Sequence, residues 1–128
     1  MSERFNGTIE AFADVKIPLA SVDAEDFRPF AEDLVNRFFP NCTISGIGLF
    51  TVEPGQIHPV HIDVQPQEWV TRIHIPLATN RHCVATMEDG PHEMVVGKAY
   101  KFNTTSPHAV SNGGKTPRVH LVFEVRNA

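Results

Sequence analysis

Cysteine is almost absent from this chain. Cys42 and Cys83 are the two examples among 128 residues, far apart and outside any CxxC spacing. Neither a disulfide framework nor a Cys-rich structural zinc site can be built from them, and they read as reduced, partly buried thiols of a cytoplasmic protein. Positive charge is also short. Eleven Lys and Arg face fifteen Asp and Glu, for a net charge of −4, and the cations form no run. That leaves no electrostatic footprint for nucleic acid and no basic patch for a membrane surface. No apolar stretch approaches membrane-spanning length, and residues 1–6 lack the apolar core of a secretion signal. A GxSxG elbow is missing and neither cysteine has a clear histidine partner, which removes ordinary acyl-transfer chemistry. No internal repeat or low-complexity linker divides the chain. The expectation is one soluble domain over residues 1–128, with 41% hydrophobic and 20% charged residues, long enough to bury a core without a structural metal.

One segment carries a helical period. Phe27, Phe30, Ala31, Leu34, Val35 and Phe38 recur at three- and four-residue steps, which predicts an amphipathic helix over residues 23–39. Asp23 is the N-cap candidate and Asp26 its rival, because Pro29 fits best in a first turn; Pro40 ends the helix. The remainder reads as short strands: residues 43–52, 69–77, 82–87, 92–96, 99–103, 108–111 and 118–126, with Asp89-Gly90 as a hairpin signal. Residues 1–22 carry one or two further strands. This pattern predicts a mostly β fold, a double-stranded β-helix of the jelly-roll or cupin-like kind over residues 43–126, with the helix packed on its outer face.

A face-by-face reading sharpens the picture. Val119, Leu121, Phe123 and Val125 share one face of their strand, and Arg118 and His120 the other. Ile73, Ile75 and Leu77 likewise oppose Arg72 and His74. The apolar faces match the phenylalanine-rich helix. The opposite faces must line a polar interior, which is costly without charged or metal partners. That cost argues for a site.

His61-Ile62-Asp63 is an HxD on a probable strand or strand end, and His108 follows at the start of another strand. Two imidazoles and one carboxylate form a facial triad, which leaves up to three metal positions open for a bidentate ligand and dioxygen. HxD alone is common by chance; joined to a distal histidine and to Arg118, it becomes specific. The Arg118 guanidinium on an inward face suits bidentate capture of a carboxylate. Two carboxylates are candidates: the distal one of 2-oxoglutarate, whose 2-oxo acid end would chelate iron(II), and a structural Asp or Glu.

Several blocks then resemble a known family. They run from Glu53-Pro54-Gly55 through His61-Ile62-Asp63, then Arg72-Ile73-His74-Ile75-Pro76-Leu77-Ala78-Thr79-Asn80. Gly97-Lys98-Ala99-Tyr100-Lys101-Phe102-Asn103, His108-Ala109-Val110-Ser111-Asn112 and Arg118-Val119-His120-Leu121-Val122-Phe123 complete the series. In order and spacing they resemble the aspartyl/asparaginyl β-hydroxylase-like branch of the Fe(II)/2-oxoglutarate-dependent dioxygenases, over roughly residues 48–126. The resemblance implies hydroxylation of an unactivated C–H bond, with release of succinate and carbon dioxide. It implies iron ligands at His61, Asp63 and His108, a co-substrate arginine at Arg118, and a second arginine near the co-substrate at Arg72, accompanied by His74. Two departures stand out. The best-known members of the branch lack the carboxylate ligand that Asp63 supplies here. Others place a hydroxyl side chain before Pro-Gly, where this chain aligns Phe50, with Thr51 beside it.

The other polar residues carry two readings each. His58 rivals His61 as a ligand, though HxD pairing favours His61. His74 and His120 read as residues around the co-substrate or substrate, or as satisfied barrel histidines. Trp69 and Asn103 are candidate substrate contacts, against a core role for Trp69 and a turn role for Asn103. His82 and His92 read as solvated hairpin residues. The substrate class is an amino acid, a peptide or protein side chain, or a related small molecule. The alternative function is a non-oxidative metal-binding cupin, an isomerase or metabolite-binding module holding Zn or Mn. Residues 64–68 are the expected flap beside the metal. Because they are short, a homodimer using Ile9, Phe12, Val15 and Ile17, or a large substrate, is expected to cover the mouth.

Overall fold

A computed structural model describes residues 8–63, 69–102 (backbone alone at Trp69 and Phe102) and 106–128. Strand β1 (Ile9–Asp14) leads to a single 3-10 turn (Ala24–Phe27) and then helix α1 (Arg28–Phe38). Eight strands follow: β2 (Cys42–Val52), β3 (Ile57–His61), β4 (Trp69–Ala78), β5 (Cys83–Met87), β6 (Gly90–His92), β7 (Lys98–Phe102), β8 (His108–Asn112) and β9 (Arg118–Asn127). They form a five-stranded sheet in the order β1-β7-β4-β9-β2 and a four-stranded sheet in the order β3-β8-β5-β6. Every recorded pairing is antiparallel. The architecture is the mostly β, two-sheet double-stranded β-helix with one helix outside.

Asp23 caps the 3-10 turn, its carboxylate accepting from the Glu25 amide at 3.0 Å. Asp26 instead accepts from the Ser21 hydroxyl, and Pro29 lies in the first turn of α1, where its missing N–H costs nothing. Phe27, Ala31, Leu34 and Val35 lock onto Ile44, Ile73, Ile75, Leu121, Phe123 and Val125 in one core. The greasy faces of β4 and β9 are thus consumed by α1, which turns Arg72, His74, Arg118 and His120 toward the space between the sheets. A second, smaller core of Ile9, Ala85, Met87, Met94 and Tyr100 fills part of that space.

One expectation changes. The strand expected over residues 92–96 ends at His92, because β6 begins at Gly90 directly after the Glu88–Asp89 turn. The strand or strand end expected at the HxD is Ile57–His61, which forms despite Pro59 because an edge position tolerates it. The N-terminal region contributes one strand among the described residues. Ile9 is buried in the second core, and Phe12, Val15 and Ile17 pack on the first.

One irregularity shapes the interior. The β2–β9 register shifts between Ser45 and Ile47, and Gly46 sits there at φ +69°. A Cβ on Gly46 would lie 2.8 Å from Glu124 Oε1, so the bulge is both left-handed and a slot for that carboxylate. Gly46→Ala should therefore lower unfolding free energy by about 1–2 kcal/mol from the backbone conformation alone, read as a shift of the urea midpoint at constant slope. An unchanged midpoint would show that the bulge relaxes freely.

Candidate active site

Pairing of β3 with β8 sets His61 directly opposite His108. The β3 register slips between His58 and His61, and Asp63 follows just past the strand end. One ligand atom from each of His61, Asp63 and His108 then lies within 4.8 Å of the others. His61 Nε2 is 3.8 Å from Asp63 Oδ1, and His108 Nε2 is 3.6 Å from Asp63 Oδ2. Each ring is oriented from behind: His61 Nδ1 donates to the Pro59 carbonyl and His108 Nδ1 to the Ser106 carbonyl, both at 2.8 Å. With the proton on Nδ1, each Nε2 presents a lone pair to the shared space. The chemistry and tautomers of this set fit a metal ion. His58 faces Val110 across β3–β8 and lines the cavity, but is not part of the cluster.

The cavity holds about 560 Å³. Its walls include Phe50, Val52, Val110 and Val122 with Arg72, His74 and Arg118. Arg118 is 5% exposed. Its Nη1 donates to His120 Nδ1, and its Nε has no hydrogen-bond partner. Among the described residues no carboxylate pairs with it, so the structural Asp or Glu partner is not found. Burial lowers its pKa to about 10, still charged at neutral pH.

Because Arg118 can only donate, His120 Nδ1 must be the acceptor, and His74 Nδ1, 2.9 Å away, shares its single lone pair. His120 is fully buried beside Arg118 and does not line the main cavity. His74 does line the cavity. Arg72 donates to Asp63 Oδ2 at 3.0 Å and to Glu124 Oε2 at 2.9 Å. Glu124 was missed in sequence, although it shares the β9 face of Arg118 and His120. Asn103 and residues 64–68 lie outside the described residues, as does the side chain of Trp69. His82 is exposed, while His92 is half-buried and bonded to Asp89.

Burial, aided by the Arg118 charge, holds both His74 and His120 well below the ordinary histidine value. In the unfolded chain each would titrate near about pH 6.5. Below that pH the unfolded state binds protons that the fold refuses, so stability falls as pH falls. The slope contributed approaches about 1.4 kcal/mol per pH unit for each histidine. Urea unfolding of the metal-free protein should give a clearly lower midpoint at pH 5.5 than at 7.5, and His74→Gln should flatten the difference. Equal midpoints in the parent protein would contradict the neutral buried pair.

Comparison with known proteins bears on the family and the fold. The chain is 29% identical over 97 residues to an L-proline cis-4-hydroxylase of Rhizobium meliloti (strain 1021), covering 75% of this chain and 35% of that protein. It thus spans about a third of the length of this curated relative. In structure it resembles a Pseudomonas putida prolyl-4-hydroxylase, with a TM-score of 0.57 at 17% identity, over 94% of this chain and 71% of the other. A Bordetella pertussis cupin domain aligns over 66% of this chain and 91% of its own, at 16% identity and a TM-score of 0.49. Residues 26–128 match the model of the aspartyl/asparaginyl β-hydroxylase family, and the chain belongs to that family.

Proposed function

We propose that the chain is an Fe(II)- and 2-oxoglutarate-dependent dioxygenase that hydroxylates a C–H bond of an amino acid, a peptide or protein side chain, or a related small molecule. The observation that carries the proposal is a buried guanidinium with no carboxylate partner among the described residues, in the cavity that also holds a His/Asp/His set. A cation at that depth is stabilised best by a carboxylate delivered with a ligand.

His61, Asp63 and His108 would hold the metal on one face and leave the cavity side open. Bound there, iron(II) with 2-oxoglutarate and dioxygen supplies oxidative decarboxylation to succinate and carbon dioxide, coupled to oxygen insertion into the substrate. The chain's own residues bind and orient. Arg118 would take the distal carboxylate through its fork, and His120, with His74 behind it, fixes the plane of that fork. Val52, Val110 and Val122 keep the carboxylate slot poor in water, which strengthens the charged contact. The proline hydroxylase relative makes free L-proline the first substrate to test, alongside proline-containing peptides.

His61→Ala, Asp63→Ala and His108→Ala should each abolish substrate-stimulated succinate formation and weaken Co(II) binding, whereas His58→Ala should retain both. Loss of metal in His58→Ala with retention in His61→Ala would overturn the assignment. Arg118→Ala should keep metal but raise the 2-oxoglutarate requirement by tens- to thousands-fold, as expected for loss of about 2–5 kcal/mol. Arg118→Lys should recover a fraction, because a point charge does not reproduce the fork. If 2-oxoglutarate fails to perturb the absorption of the metal under anaerobic conditions, the non-oxidative cupin reading replaces this one.

A further inference from the structure

We infer that Glu124 is a positioning residue for the metal centre, acting through Arg72 on the carboxylate of Asp63. The inference rests on the reading of His61, Asp63 and His108 as metal ligands. Glu124 on β9 and Arg72 on β4 are direct cross-strand partners, and they form an ion pair with Nε at 2.9 Å from Oε2. A different nitrogen of the same guanidinium, Nη1, reaches Asp63 Oδ2 at 3.0 Å. The arginine therefore bridges two carboxylates from two separate edges of its plane. Glu124 in turn is seated by the β2 bulge: its Oε1 occupies the space that any side chain at Gly46 would need. Sheet register and a left-handed glycine fix Glu124, Glu124 fixes Arg72, and Arg72 fixes the last, strand-free residue of the ligand set.

Two consequences follow from charge and geometry. Arg72 engages one oxygen of Asp63, so it orients the carboxylate and biases it toward offering the other, Oδ1, as a single ligand atom. Glu124 also offsets the positive charge that Arg72 brings beside Asp63, so more of the Asp63 charge is left to a divalent cation held by the two imidazole lone pairs. Asp63, Arg72 and Glu124 are partly shielded from water, with side-chain exposures of 33%, 20% and 13%, so the offset is felt at the metal. Partners behind metal ligands are typically worth about 10–100-fold in metal affinity.

The test is Co(II) titration of the metal-free protein, with 2-oxoglutarate binding to the Co(II) form measured separately. Glu124→Gln keeps size and a hydrogen-bonding oxygen but removes the charge; it should weaken Co(II) binding about tenfold or more while its melting temperature without metal stays near that of the parent. Glu124→Asp, which keeps the charge on a shorter arm, should recover part of the loss. Unchanged Co(II) affinity in Glu124→Gln would overturn the inference, as would a loss in Glu124→Gln that Glu124→Asp does not relieve at all. Intact Co(II) binding with weakened 2-oxoglutarate binding would also overturn it, assigning Arg72 and Glu124 to the co-substrate. If the parent protein bound no Co(II), the metal-ligand reading itself would fall, and the inference with it.

Discussion

A buried cation with no carboxylate partner among the described residues is the constraint on which the rest of this molecule turns. Arg118 is almost fully buried, yet its hydrogen bond goes to a neutral imidazole and its Nε to nothing. Bringing a guanidinium out of water costs several kcal/mol even after relaxation, and a neutral acceptor returns little of it. The fold carries that cost because its apolar work is done elsewhere, by α1 against the outer faces of β4 and β9. The interior can then be kept for chemistry. Burial first, and the Arg118 charge after it, hold His74 and His120 well below the ordinary histidine value.

The interior is divided, with apolar packing at one end and polar residues at the other. Ala85, Met87, Met94, Tyr100 and Ile9 fill one part, while the ligand set and the arginines occupy another. β8 belongs to both, since His108 reaches the ligand cluster while Val110 packs on the small core and lines the cavity. Its last residue, Asn112, is 1% exposed; it donates to the Val52 and Thr116 carbonyls, and its carbonyl accepts from the Asn80 side chain and the Gly114 amide. That knot ties the end of β2 to the loop before β9, and Val52 stands opposite Arg118 in the register. The position of the cation is therefore set by sheet pairing and a side-chain clamp together.

Much of this was legible in sequence because strands have a period of two. Alternation along residues 118–125 and 72–77 separates the helix-facing side chains from Arg118, His120, Arg72 and His74 without any tertiary information. The helix was legible from its phenylalanine stripe. Glu124 was not, although it continues the same face. Its role depends on which residue lies across from it in β4, and register is a property of two strands that neither sequence states alone. Of Ile57–His61, only the end at the HxD was legible. All five residues are exposed and Pro59 interrupts them, so neither alternation nor composition marks a strand; only pairing with β8 does. Asp63 reached the expected cluster by a different route, since the strand stops at His61 and the carboxylate is carried in just beyond the strand end.

The exposure of the ligand set gives the cavity a direction. The side chains of His61 and Asp63 are 43% and 33% exposed, whereas that of His108 is 7% exposed and Arg118 lies deep. A small acid with one end on Arg118 and the other at the ligands would lie along the buried side, between β8 and β9. It would leave the β3 side for any second molecule. The cavity wall there includes His58 and His61 of β3, with Phe50 of β2, which is more than half exposed. The site thus runs from a buried cation to exposed ligands, which favours a ligand whose carboxylate enters first. On the proposed reading, the co-substrate would seat against Arg118 and the C–H bond to be hydroxylated would approach past β3, where the side chains of His61 and Asp63 are exposed.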